Sequence, residues 1–281
     1  MKLRKLVAAC VAALTLASGT AHAQPAKPRS CAAHYLVAVP GGGNTAEGIP
    51  DYVPHGGNVF MTGLLTRMGT AGEIEPRWVS YNSTPFATSE YKRSAAGGYK
   101  RARATVSKLA NACPNARFSL TGYSLGADIA ARLTRDIAHG RGPIAPERVS
   151  GVALFANPYQ GDNGAVLSYG TSPLSRGSLG PLPGGYGELG PRVLEICNAG
   201  DLVCSMNEAH RGLVSPALRT NMATGRIPFG EFNALFRALG LGSFSVFNGM
   251  SRHGSYTLAQ QREASNWIIE QSHAPIQVPI P

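Results

Sequence analysis

Hydrophobic and polar positions along the chain fall into two alternating kinds of pattern. Short, nearly unbroken apolar runs appear at Tyr35-Leu36-Val37-Ala38-Val39, Phe118-Ser119-Leu120-Thr121-Gly122-Tyr123, Val149 to Phe155 and Arg192 to Cys197. Each has strand length, and the first ends in Pro40 and three glycines, so they predict buried strands entering loops. Arg77-Trp78-Val79-Ser80-Tyr81 alternates and predicts a further strand, ended near Pro85. Between these runs the period changes. From about Ser89 to Ala112, Tyr99, Ala102, Val106 and Leu109 recur three or four apart, as on one face of a helix. A second helix is expected from Ser124 to about His139, stopped by Gly140 and Gly142, and a third from Leu258 to Gln271, ended before Pro275.

Strands alternating with helices predict one α/β domain, a mainly parallel sheet covered on both faces. Residues 158–190 are rich in Gly, Pro and Ser and read as a long surface excursion, not a linker, because the strands on either side build the same sheet. Residues 229–248, with Phe229, Phe232, Leu235, Phe236, Leu239, Leu241, Phe244, Val246 and Phe247, are more apolar than a solvent-facing segment should be. They suit either a lid or acyl-binding wall, or a piece of permanent core.

The N-terminus changes the count. Lys2, Arg4 and Lys5, an apolar run from Leu6 to about Ala17, and Ala21-His22-Ala23 make a secretory signal peptide, residues 1–23, leaving one domain over 24–281. The apolar run is too short for a transmembrane helix. Cys10 leaves with it, and four cysteines remain: Cys31, Cys113, Cys197 and Cys204. An even number in an exported chain suggests two disulfides. Cys197 and Cys204 flank a short loop, which pairs them with each other and Cys31 with Cys113. The formal charge of +10 falls to +7 without Lys2, Arg4 and Lys5. The cations are scattered without interleaved aromatics, so nucleic acid is not an expected partner. The preferred reading is a charged surface kept for solubility, with attraction to an anionic envelope surface or phospholipid head groups as the alternative.

Chemistry concentrates at Gly122-Tyr123-Ser124-Leu125-Gly126, a G-x-S-x-G between a strand and a helix. There a serine at the apex of a sharp turn stands beside free helix N–H groups. A serine nucleophile needs a base, and the base an orienting acid, in the chain order Ser, Asp or Glu, His. Asp201, just after a strand and between Cys197 and Cys204, is the preferred acid. Asp128 and Asp136 are expected to face solvent, and Asp162 is a poorer choice. His253, in a loop before the last helix, is the preferred base, with His210 as competitor. His273 reads as a surface residue, and His34 and His55 precede the serine. The oxyanion donors are assigned to the N–H of Leu125 and to Gly42 in the loop Pro40 to Asn44, with Gly43 and Asn44 close rivals. No metal-ligand constellation such as H-E-x-x-H and no phosphate-binding loop occurs, so no metal or cofactor is called for.

These motifs resemble the cutinase family. Gly122 to Ala127 looks like its nucleophile motif, with Leu125 where the family usually has Gln. Cys197-Asn198-Ala199-Gly200-Asp201-Leu202-Val203-Cys204 is similar to its acid loop, and His253-Gly254-Ser255-Tyr256 to its histidine segment. Gly140-Arg141-Gly142-Pro143 and the long insertion before Cys197 look more like the larger mycobacterial members, envelope lipases and thioesterases. The resemblance implies an α/β-hydrolase fold and hydrolysis of acyl esters or lipids through an acyl-enzyme on Ser124, His253 and Asp201, without a cofactor. It suggests a secreted or envelope-associated protein, with a monomer as the default.

Overall fold

The computed structural model describes residues 31–84, 89–206, 249 and 251–274. Its centre is a six-stranded sheet, built from β1 (His34–Val39), β2 (Ile74–Trp78), β3 (Arg117–Tyr123), β4 (Val149–Phe155), β5 (Val166–Leu167) and β6 (Val193–Ile196). The strand order is β2-β1-β3-β4-β6-β5, and every pairing is parallel. All residues of β1 and β4 are buried, as expected of interior parallel strands covered on both faces. Pro76 lies in β2, where a missing N–H is tolerated because β2 is an edge strand.

Among the described residues, helices α1 (Asn58–Gly69), α2 (Tyr91–Ala112), α3 (Leu125–Ala138) and α4 (Leu258–His273) cover the sheet. α2 packs on α3 and α1 on α4. The α2–α3 layer shares one apolar cluster with Val37, Val39, Phe118, Leu120 and Leu154, whereas Ala264 and Ile268 of α4 pack with Leu36, Phe155, Leu194 and Ile196. Phe118 and Phe155 are fully buried, each stabilising the fold by about 1.5–3 kcal/mol. α4 begins with a reciprocal capping box between Thr257 and Gln260. Both disulfides, Cys31–Cys113 and Cys197–Cys204, are formed as paired from the sequence.

Three features differ from the sequence expectation. Helix α1 was not foreseen, because its inward positions are Val59, Thr62, Gly63 and Thr66. They have helical spacing but almost no apolar signal. Thr66 and Thr70 return their hydroxyls to carbonyls four residues back, both at 2.8 Å, and a Cβ on Gly63 would already touch the Trp78 ring at 3.0 Å. The second strand runs over 74–78, not 77–81. Its ladder with β1 ends at the Ala38–Trp78 pair, beyond which Tyr81 is buried with its hydroxyl donating to Pro40 O at 2.5 Å.

The 158–190 segment is not simply a surface excursion. It contributes β5, and it buries Leu182, Tyr186 and Leu189 in the core. Its anchor is Glu195 of β6, whose Oε1 accepts from Asn157 (2.8 Å), Tyr186 (3.1 Å) and Asn163 (3.2 Å). Burial pushes the Glu195 carboxyl above its ordinary range, and these hydrogen bonds oppose that rise. Residues 229–248 lie outside the described residues.

Candidate active site

The site stands at the carboxyl ends of the strands, where an open parallel sheet exposes its loops. β3 runs straight into α3, and Ser124 occupies the single residue between them. Its φ of 56° and ψ of −119° place a non-glycine residue in a strained, left-handed-φ conformation. Two glycines permit so tight a turn. A Cβ on Gly122 would run into the Gly126 backbone, and one on Gly126 would run into the carbonyls of Val39 and Pro40. The absent side chains therefore let β3, the start of α3 and the end of β1 meet backbone to backbone.

His253 and Asp201 complete a continuous hydrogen-bonded chain. His253 Nε2 lies 2.9 Å from Ser124 Oγ. His253 Nδ1 lies 3.0 and 3.1 Å from the two oxygens of Asp201. A carboxylate only accepts, so Nδ1 carries the proton and Nε2 is left to accept from the serine hydroxyl. Asp201 is fully buried. It also accepts from Val203 N–H at 2.7 Å and from the Tyr256 hydroxyl at 2.7 Å, so that each carboxylate oxygen has more than one donor. The Cys197–Cys204 disulfide closes the loop around it.

The loop from Pro40 to Asn44 lies against this elbow. Gly41 packs on Tyr123, and a Cβ there would stand 2.9 Å from Tyr123 O. Gly43 N–H donates to Ser83 O at 2.6 Å and Asn44 N–H to Gly41 O at 3.1 Å. Among the described residues neither Gly42 N–H nor Leu125 N–H meets an acceptor. Leu125 opens α3, where backbone N–H groups are unpaired and the helix dipole favours negative charge.

The other residues weighed from the sequence lie elsewhere. Asp128 was expected to face solvent but is fully buried, accepting from Arg132 Nε at 2.5 Å and the Tyr91 hydroxyl at 2.9 Å beneath the α2–α3 contact. Asp136 takes Tyr99 and Arg135, and exposed Asp162 pairs with Arg176. His34 is buried on Ser119 and His55 on Thr45, and His273 ends α4. His210 falls outside the described residues. Two tyrosines went unassigned by sequence reasoning. Tyr256 holds Asp201, and Tyr123 donates to His253 O at 2.8 Å. Tyr256 falls in the His253-Gly254-Ser255-Tyr256 segment and Tyr123 in the G-x-S-x-G motif, but neither was given a role from the sequence.

The fold and this elbow define the α/β-hydrolase class. The cutinase family model matches residues 45–215, and the chain belongs to the cutinase family of serine carboxylic ester hydrolases. It is 30% identical to phospholipase Culp4 of Mycobacterium tuberculosis over 222 residues, covering 76% of this chain and 85% of the relative. Carboxylesterase Culp1 of the same species is 28% identical over 214 residues, covering 75% and 88%. A cutinase of Kineococcus radiotolerans is 32% identical over 139 residues, 47% of this chain and 42% of that protein. Among solved structures, the catalytic core domain of acetyl xylan esterase from Trichoderma reesei matches with a TM-score of 0.51 at 18% identity, covering 69% of this chain and 97% of that one. The last likeness concerns the fold.

Proposed function

We propose that this protein is an exported serine esterase or lipase that hydrolyses carboxylic acyl esters through an acyl-enzyme. The observation that carries the reading is the unbroken chain from strained Ser124 through His253 to buried Asp201. Ser124 Oγ attacks the ester carbonyl while His253 Nε2 takes its proton. Asp201 keeps Nδ1 protonated and offsets the imidazolium charge. The carbonyl oxygen, now negative, is received by Leu125 N–H at the start of α3 and by Gly42 N–H of the Pro40 to Asn44 loop, two donors that no described acceptor occupies. Collapse of the tetrahedral adduct passes the His253 proton to the leaving alcohol. Water then repeats the sequence and frees the acid. The atoms balance with water as the only co-reactant.

Residues 1–23 act as the signal peptide, and 24–281 as one hydrolase domain. Two disulfides suit an oxidising compartment, and no described helix is long and apolar enough to cross a membrane. The substrate is an acyl ester or lipid of the cell envelope or its surroundings, met by a monomer. Relatives named as a carboxylesterase and a phospholipase make phospholipids the first alternative substrate, with thioesters and polyesters behind. A non-catalytic envelope-binding role is the remaining alternative.

The test is hydrolysis of p-nitrophenyl butyrate and palmitate by the mature protein, beside Ser124→Ala. Loss of the serine is expected to lower kcat by about 10⁴-fold or more. Equal inactivity of both proteins toward these esters, a phospholipid and an acyl thioester would refute the enzyme reading.

A further inference from the structure

Tyr123 touches His253, Tyr256 and Gly41 without being one of the reacting groups. Its ring lies nearly parallel to the His253 imidazole, with centroids 5.2 Å apart and planes 22° from each other. Its hydroxyl donates to the carbonyl of His253 at 2.8 Å. The ring also abuts the Pro40 to Asn44 loop, where a Cβ on Gly41 would stand 2.5 Å from ring carbon Cδ1. Tyr256, which holds Asp201, meets the same ring edge-on at 5.9 Å. Along the chain, Tyr123 is the residue before Ser124.

We propose that Tyr123 is a positioning residue for the base, one that keeps His253 over Ser124 and favours its imidazolium form. This rests on the serine-hydrolase reading above. The base arrives from a segment 129 residues away in sequence. Its backbone needs a fixed point near the nucleophile, and the phenol supplies one from the strand end that carries the serine. The face of an aromatic ring attracts a cation through its quadrupole, so a ring stacked on the imidazole stabilises the charge that each proton transfer creates. Gly41 is the complement of this arrangement, because a Cβ there would overlap the ring and force it to shift. Burial, and secondarily the Asp201 charge, push the phenol up to about 12, so it remains a donor through the working range. Among the described residues, the ionisable groups around the imidazole are Asp201 at Nδ1, Tyr123 on its face and Tyr256 behind Asp201, with Arg252 preceding it in the chain.

The experiment compares wild type with Tyr123→Phe, which keeps the ring, and Tyr123→Leu, which removes it. Tyr123→Met fills the space without a ring should the leucine variant fail to fold. NMR titration of the His253 imidazole needs no substrate and is read first. The ringless variant is expected to titrate lower by about half to one pH unit, and Tyr123→Phe to titrate with wild type. On p-nitrophenyl butyrate, kcat of the ringless variant should fall about 2- to 30-fold with KM unchanged, and the acid limb of kcat/KM should move to lower pH. An unmoved His253 titration in the ringless variant overturns the proposal, whatever the rate does, because a purely structural role would lower stability and leave the titration in place. Failure of the hydrolase reading is seen separately, as wild-type protein that neither turns over esters nor is labelled at Ser124 by a fluorophosphonate.

Discussion

The two ends of the sheet each carry a disulfide, and the two bonds have different work. Cys31–Cys113 ties the chain entering β1 to the end of α2, at the amino end of the strands, across 82 residues of sequence. Cys31 is exposed and precedes the amino end of β1, whereas Ser124 follows the carboxyl end of β3. Cys197–Cys204 sits at the carboxyl end, spans 7 residues, is buried, and encloses Asp201. A crosslink stabilises chiefly by restricting the unfolded chain, and more so for a longer loop. The first bond should therefore govern stability, and the second the placement of Asp201.

Removing the long-range bond is the strongest test of that contrast. Cys31→Ser with Cys113→Ser is expected to cost about 4–5 kcal/mol of stability, measured by urea unfolding, with kcat of the folded protein unchanged. A fall in kcat would show that the amino end of the sheet reaches the site.

The same end holds a second device. His34 is buried against Ser119, and burial, then the charges of Arg117 and His273, lower it from 6.5 to about 4. Below pH 6.5 the unfolded chain binds a proton that folded His34 refuses. Stability present above pH 6.5 is thus lost as pH falls toward 4, by at most about 3 kcal/mol. Unfolding curves between pH 4 and 7 should show this slope, and His34→Gln should flatten it. An equal slope in the variant would assign the acid sensitivity elsewhere.

Opening the short loop is the smaller effect on stability and the larger one on catalysis. Cys197→Ser with Cys204→Ser is expected to cost about 2–3 kcal/mol while lowering kcat by about tenfold or more, since a small displacement of the acid misaligns the base. Steady-state kinetics on p-nitrophenyl butyrate check it. Wild-type kcat in this variant would mean that Val203 N–H and Tyr256 alone hold Asp201 in place.

Much of this architecture is legible in the sequence. Apolar runs of strand length alternating with a helical period require a parallel sheet with two covered faces, because a fully apolar strand is stable only when both sides are buried. The G-x-S-x-G motif between such a strand and a helix is equally local. Its glycines and serine are adjacent in sequence, so the turn they build can be read from their order alone.

What escaped the sequence is what depends on partners distant along the chain. Helix α1 packs through threonine and glycine, whose value appears only when Trp78 and Ser265 are beside them. Asp128 looked solvent-facing because nothing local shows that α2 covers it. Glu195 as an anchor for residues 158–190, and Tyr123 and Tyr256 as supports of His253 and Asp201, exist only across separations that periodicity does not sense. By itself, the sequence determined the layered α/β plan, the elbow at Ser124, and the short set of acids and bases worth considering. The tertiary structure alone decided which of them meet, because a hydrogen bond of about 3 Å between residues 52 or 129 positions apart is fixed by the packing of whole elements and not by any local pattern.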